Sequence, residues 1–380
     1  MNIYYYYPLT LHYNSGQTLQ VIQDYKELSR HGHNVFLYGV YEDEEALNTI
    51  LNDIKNDTVY IRYRKGSSKY LRNLLKCQML WDIFCDPNQK IIVSRNINKM
   101  AEVRALKCFF RRCKFLWERH EDAIPYLLKK SPPKREKQQM QKLLKNIDGL
   151  ILTNYSQQTL FDQEFTTLPP SIVLPNGVDL ARYATAQPSH DSTKRWLTYA
   201  GQFTQWKNVE LLFASLALLD DSFCLRLAGG KGDANSKQWV DAMAAKHGVT
   251  NRVDYIGFVK PDELPQRALH GSAALLLPLG DNMESRYFTS PMKLFEYMAT
   301  SIPVVSVDYP TIRGITGEDT VYLSDQTTRD FANAIIKATE HYDTVRIAKM
   351  NHLASQYTHK VRAQRFNAFT ESLCPLASLR

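Results

Sequence analysis

Residues 290–305 read S-P-M-K-L-F-E-Y-M-A-T-S-I-P-V-V, which gives a helix entry, an apolar stripe and then a β-branched run. Ser290 suits an N-cap and Pro291 the first helical position, where proline's missing N–H falls among donors that lack partners anyway. Met292, Phe295 and Ala299, flanked by Leu294 and Met298, recur at helical spacing and define a stripe that packs. Lys293 and Glu296 project elsewhere. Thr300-Ser301 breaks the helix, and Ile302 to Val307 has the composition of a strand buried on both faces of a parallel sheet. The stretch therefore predicts an α/β fold.

A helix start presents orphan N–H groups to an anion, and Lys293 adds a full charge there. Glu296 lies one turn further in, where its carboxylate can accept from two vicinal hydroxyls, as a ribose presents them. Phosphate and ribose together point to a nucleotide. In isolation the stretch reads equally well as a capped helix with a surface lysine and glutamate, so the rest of the chain has to decide.

A chain of 380 residues exceeds what one core usually serves, and two domains are expected. The boundaries are drawn at 1–182 and 183–358, with a terminal helix in 359–380 lying back on the first domain. Hydrophobic residues make up 44% and the mean hydropathy is −0.37, while no uncharged apolar run approaches the width of a bilayer. The opening M-N-I-Y-Y-Y-Y-P lacks a basic leader and a cleavage site and reads as a first strand, so a cytoplasmic protein is expected. The six cysteines form neither C-x-x-C nor a zinc spacing, which predicts reduced thiols with no nucleophile among them. The net charge of +8 is uneven: Ile61 to Lys145 holds 22 Lys or Arg against 7 Asp or Glu.

Strands are predicted at Asn2 to Tyr7, Asn34 to Gly39, Val59 to Tyr63, Lys90 to Ser94, Lys114 to Trp117 and Gly149 to Thr153. A loop at 14–18 precedes a helix from Leu19 to Arg30, and Gly16 is where backbone can approach a ligand. Tyr126 to Lys145 reads as a loop and a strongly basic helix. Pro175-Asn176-Gly177-Val178-Asp179 is a turn in which Gly177 can take positive φ and Asp179 can bond local backbone. After a polar linker at 187–193 the pattern restarts, with strands expected at 196–200, 223–228, 253–257, 273–277, 302–307 and 320–323. Tyr199 to Leu212, Y-A-G-Q-F-T-Q-W-K-N-V-E-L-L, is a strand, a glycine turn and a helix starting near Lys207, a second place for an anion. Its spacing matches neither the P-loop nor the dinucleotide fingerprint.

Three motifs in this order, P-N-G-V-D at 175–179, G-x5-K from Gly201 to Lys207, and S-P-x-K-L-x-E-Y-M-A at 290–299 followed by P-V-V, resemble the retaining nucleotide-sugar glycosyltransferases of family 4. The resemblance covers nearly the whole chain. It implies a GT-B fold, two Rossmann-like doubly wound domains facing across a cleft, with the acceptor on the first and the donor on the second. It implies that Lys207 and the helix start at Pro291, Met292 and Lys293 contact the donor diphosphate and that Glu296 holds the ribose. Gly201, Gln202, Phe258, Arg286 and Ser290 complete the donor side on the same ground. Gly16 aligns with a loop over the diphosphate, and His120 with a histidine beside the transferred sugar; Lys207 and His120 are the catalytic pair implied.

Two departures stand out. Gln202 follows Gly201 where the family often has arginine, so a second positive charge has to come from Arg286 or Lys293. Phe288 stands where the first of two paired glutamates belongs, leaving sugar selectivity to the 287–290 backbone or to Glu284 and Arg286. The resemblance implies that no enzymic nucleophile is required, the departing diphosphate taking the acceptor's proton on the same face. The chain lacks a D-x-D pair, so metal-independent transfer is expected, with no cofactor beyond a UDP- or GDP-linked donor as substrate. The implied acceptor is a glycan or lipid-linked hydroxyl, in bacterial surface polysaccharide or glycoconjugate synthesis. The basic 107–145 region, with Phe109, Phe110 and Phe115 interleaved, suits an anionic inner-membrane surface or is a solvated face. Nucleic acid is not expected, for no recognition motif accompanies the charge. A same-fold epimerase, a phosphorylase or a non-catalytic sugar-nucleotide sensor remains the alternative.

Overall fold

The structure is a computed structural model that describes residues 1–11, 16–95, 112–119, 134–191 and 193–374. The chain divides into two compact units, Met1–Gly177 with His359–Arg380, and Val178–Thr358. In chain order, the first unit's elements are β1 (Asn2–Thr10), α1 (Gly16–Arg30), β2 (Asn34–Tyr41), α2 (Glu44–Ile54), β3 (Val59–Lys65), α3 (Lys69–Cys85), β4 (Lys90–Ser94), β5 (Cys113–Arg119), α4 (Lys134–Lys145), β6 (Gly149–Leu152), α5 (Tyr155–Glu164) and β7 (Ser171–Val173). The second unit opens with α6 (Leu180–Tyr183), β8 (Arg195–Gly201), α7 (Glu210–Leu216), β9 (Phe223–Gly229), α8 (Ala234–Lys246), β10 (Val253–Gly257) and β11 (Ala274–Leu277). It continues through α9 (Met292–Met298), β12 (Val304–Val307), α10 (Pro310–Arg313), β13 (Tyr322–Ser324), α11 (Thr328–Glu340) and α12 (Thr344–Ser355), and α13 (His359–Leu373) returns to the first unit.

Each unit is one parallel sheet, ordered β3-β2-β1-β4-β5-β6-β7 in the first and β10-β9-β8-β11-β12-β13 in the second. Helices cover both faces, which is why β4 and β11 are buried along their whole length, β11 as an unbroken apolar run and β4 with an apolar centre at Ile91, Ile92 and Val93. In the first unit one face packs Ile3, Tyr5, Val35 and Leu37 under α1, α2 and α13. The other packs Tyr4, Tyr38, Phe115 and Trp117 under α3, α4 and α5. Strand order reverses between β1 and β4, and again between β8 and β11 in the second unit. At such a switch point the flanking loops leave in opposite directions and open a crevice past the strand ends.

What returns α13 to the first unit is a buried ionic cluster. Arg362 donates through Nη2 to Glu118 Oε1 (2.5 Å) and through Nε to the Pro175 carbonyl (3.1 Å), and its Nε lies 3.5 Å from Asp24 Oδ2. His359 Nδ1 meets Asp24 Oδ1 at 2.8 Å. Arg362, Asp24 and Glu118 are each no more than 6% exposed. Burial pushes the Asp24 carboxyl up, but Arg362 and His359 overcome it and hold the group below its ordinary value.

Several expectations need correction. Helix α9 starts at Met292 with Pro291 as its cap residue, so Ser290 is not the N-cap and the proline is not the first helical residue. Helix α1 begins at Gly16, which makes that glycine a helix terminus rather than a loop apex, and residues 12–15 lie outside the described region. Lys207 ends a 3-10 turn, Gln205–Lys207, and the helix follows only at Glu210. Gly177 does not take positive φ; a Cβ there would meet the His359 ring at 2.5 Å, so the missing side chain makes room for the start of α13. Asp179 does bond local backbone, accepting from the Arg182 N–H as the cap of α6. Phe115 is fully buried in β5 and presents nothing to a membrane. Strand β7 has no counterpart in the sequence reading.

Replacing Arg362 with Met leaves two buried carboxylates short of their cation and should cost about 3 kcal/mol or more, read from urea unfolding. Because the Asp24 pKa is depressed on folding, this contribution is complete above the unfolded value of about 3.9 and is lost as pH falls through the folded one. The gap between native and variant should therefore narrow on acidification below about pH 4. A gap independent of pH down to acid unfolding would refute the assignment.

Candidate functional site

The loops that leave the carboxyl ends of β8 and β11 carry most of the predicted donor-side residues. Gly201 ends β8, and a Cβ on it would fall 2.7 Å from the Tyr199 hydroxyl, which donates to the Gln202 carbonyl (2.8 Å). Gln202 itself is exposed. Gly229 ends β9 at φ +129, where a Cβ would lie 2.0 Å from the Gly201 carbonyl oxygen, and the Gly230 N–H donates to that oxygen (3.0 Å). No side chain fits between these two strand ends. Gly232, at φ +72, lies against Phe258 beyond β10, and the Phe258 ring is 40% exposed. A glycine-lined floor thus joins Gly201 to Phe258.

Two lysines stand over the β8–β11 side. Lys207 is half-buried, with Nζ over the Trp206 ring at 3.8 Å, and among the described residues no carboxylate pairs with it. Burial, together with the positive charge of Lys293, pulls its ammonium down to about 8. Lys293, on the first turn of α9, donates to Glu296 Oε2 (2.5 Å). Glu296 is 9% exposed. The Tyr183 phenol of α6 faces the same carboxylate, and burial and then that negative charge push it up. Tyr297, next along α9, is fully buried and its hydroxyl accepts the Ala200 N–H (2.9 Å), tying the helix to the end of β8.

The second loop is set by its own contacts. Gly280 N–H donates to the Trp206 carbonyl (2.8 Å) and Thr311 Oγ1 to the Ser285 carbonyl (2.5 Å), which fixes the 280–291 segment beside the Lys207 turn. Arg286 is ion-paired with Asp281 and lies over the Tyr309 ring at 4.8 Å, so its charge is already balanced. Phe288 is 6% exposed and packs inward. A cavity of about 720 Å³ opens between Phe203, Trp206, Trp239 and the Gly280–Glu284 loop.

The structure therefore brings Lys207, Lys293 and Glu296 together, places Gly201 and Phe258 on the same edge, and leaves Ser290, Pro291 and Met292 at the α9 entry. Since α9 is only seven residues long, the positive charge there comes from the two lysines rather than from the helix end. Gly16 lies exposed at the start of α1 in the other unit. His120 falls outside the described residues. Sequence reasoning missed Tyr183, Tyr297 and the Gly229–Gly232 floor, although G-G-K-G after a predicted strand was a visible signal for the last.

A buried ammonium with a depressed pKa and a like charge beside it is stabilised by an arriving anion, which raises its pKa. Binding of a nucleoside diphosphate near pH 8 should therefore take up protons, and affinity should fall as pH rises through about 8. Calorimetry in buffers of different ionisation enthalpy reads this directly. Lys207→Met should abolish the uptake; uptake that persists in the variant would rule Lys207 out as its source.

Residues 194–341 match the family model described as Glycosyl transferases group 1. No curated protein sequence matches the chain. Among solved structures, Anabaena HepE in complex with UDP and glucose aligns with a TM-score of 0.73 at 16% identity, covering 98% of this chain and 100% of that one. Sucrose-phosphate synthase from Thermosynechococcus elongatus gives 0.74 at 15%, covering 98% and 99%, and the apo lipopolysaccharide outer core galactosyltransferase WaaB gives 0.71 at 15% over the same shares. These likenesses make the fold GT-B. Together with the family match they support a glycosyltransferase.

Proposed function

We propose that the chain transfers a sugar from a nucleoside-diphosphate donor to a hydroxyl of a glycan or lipid-linked acceptor, with retention of configuration. The observation that carries this is the pairing of Lys207 with Lys293 beside Glu296 at the switch point of the second sheet. In the ground state the two lysines repel. As the bond to the sugar breaks, the diphosphate gains negative charge where they stand, so they stabilise the transition state more than the substrate. Glu296, held by Lys293 and Tyr183, is oriented to accept from the ribose hydroxyls. The floor of Gly201, Gly229 and Gly230 lets the diphosphate approach backbone, and Phe258 offers an exposed ring to the base.

UDP is favoured as the nucleotide by the complex of Anabaena HepE, which holds UDP and glucose in the same fold. Lys293 supplies the second cation that Gln202 cannot, because it lies close enough to Lys207 to depress that ammonium and its own partner Glu296 belongs to the same site, whereas Arg286 is held by Asp281 in the neighbouring loop. With Phe288 turned inward, selection of the sugar falls to the 287–290 backbone and Glu284. His120 would orient a hydroxyl of the transferred sugar, and the leaving diphosphate accepts the acceptor's proton. A role in bacterial surface polysaccharide synthesis fits this chemistry.

Thermal-shift titration with UDP, GDP, ADP and CMP identifies the base, because a ligand of the folded state alone raises stability with the logarithm of its concentration over Kd. Glu296→Gln should weaken the preferred nucleotide about 10- to 100-fold, the worth of a charged hydrogen bond or two. His120→Ala should lower turnover far more than donor affinity. If no nucleotide raises the melting temperature, the donor reading fails; binding without transfer or donor hydrolysis would make the protein a sensor.

A further inference from the structure

Helix α3 turns Met79 and Ile83 onto the sheet face that carries Tyr4 and Tyr38, and the Tyr38 hydroxyl holds its Asp82 (2.5 Å). On the opposite side Tyr70, Leu74, Cys77, Trp81 and Phe84 follow one another at alternating intervals of four and three residues and form an uncharged stripe. Tyr70, Trp81 and Phe84 are 70%, 66% and 63% exposed. Three large aromatic side chains aligned in water mark a contact surface rather than a free helix face.

Cations border the stripe. Lys69 is exposed at the start of α3. The register of β2 on β3 sets Arg62 opposite Tyr38, so Arg62 and Arg64 emerge on the α3 side of the exposed edge strand β3. Helix α4 covers the same sheet face and exposes Lys134, Arg135, Lys142 and Lys145. From Val59 to Cys85 there are six Lys or Arg and one acidic residue, Asp82, which is turned inward to Tyr38. A second copy seated here would bring like charges together, whereas an anionic surface is complementary to them.

We propose that the α3 face of the first unit docks on an anionic lipid surface, with Tyr70, Trp81 and Phe84 entering the headgroup–acyl boundary and Arg62, Arg64 and Lys69 over the lipid phosphates. Aromatic rings favour that boundary and cations favour the charge above it. Phe109 and Phe110, with residues 120–133 of the basic region, lie outside the described residues, and docking through α3 is independent of the donor site.

The test is sedimentation of the full chain with vesicles of phosphatidylcholine alone or mixed with phosphatidylglycerol. The native chain should bind the anionic vesicles and be released by salt. Trp81→Ser with Phe84→Ser should weaken binding about tenfold or more, and Arg64→Glu with Lys69→Glu should abolish the preference for anionic lipid. Both variants should keep the native melting temperature and the same shift with nucleotide, which separates this outcome from any failure of the donor site. The native chain left in the supernatant with both vesicle types, or serine variants that bind as well as native, would overturn the proposal. So would a homodimer in sedimentation equilibrium that the serine variants dissociate without any vesicle binding, since the face would then belong to a second copy.

Discussion

In a parallel sheet every strand ends at the same edge, and the second unit is arranged around that constraint. Strands β8 and β11 lie side by side while their sequels diverge, so the turn bearing Lys207 and the loop leading into α9 emerge next to one another. Tyr297 then fixes α9 to β8 through the Ala200 N–H, a hydrogen bond buried among apolar neighbours. With Leu294, Phe295 and Met298 buried in the core, that anchor sets where Lys293 and Glu296 stand relative to Lys207.

The electrostatic character of the site follows from this crowding. Lys293 has Glu296 as a partner, yet Lys207 is set in a partly desolvated turn over an aromatic ring, with no carboxylate partner among the described residues. An ammonium so placed is held in an unfavourable state that an incoming diphosphate relieves. The same economy of carboxylates shows in the neighbouring loop, where Asp281 neutralises Arg286 and leaves the net positive charge concentrated at the lysine pair.

The first unit depends on a different use of charge. Arg362, Asp24 and Glu118 are removed from water and retained as a hydrogen-bonded cluster, and they draw a helix from the far end of the sequence onto α1. Gly177 completes the junction by leaving room for the His359 ring.

The sequence by itself determined the alternation of strand and helix, the doubly wound class and the identity of Lys207, Lys293 and Glu296 as candidates, because period, turn chemistry and anion preference are local properties. It misjudged helix starts, since Pro291 and Lys207 occupy positions where a turn precedes the helix and either residue is acceptable on local grounds. Only the tertiary structure decided that Arg286 and Lys293 are paired with carboxylates while Lys207 has none among the described residues, that Phe288 and Phe115 are buried, that Tyr183 and Tyr297 support the site, and that α3 leaves three aromatics uncovered. Each of these depends on which residues distant in the chain share a neighbourhood, and burial and charge pairing are set by that neighbourhood rather than by spacing along the chain.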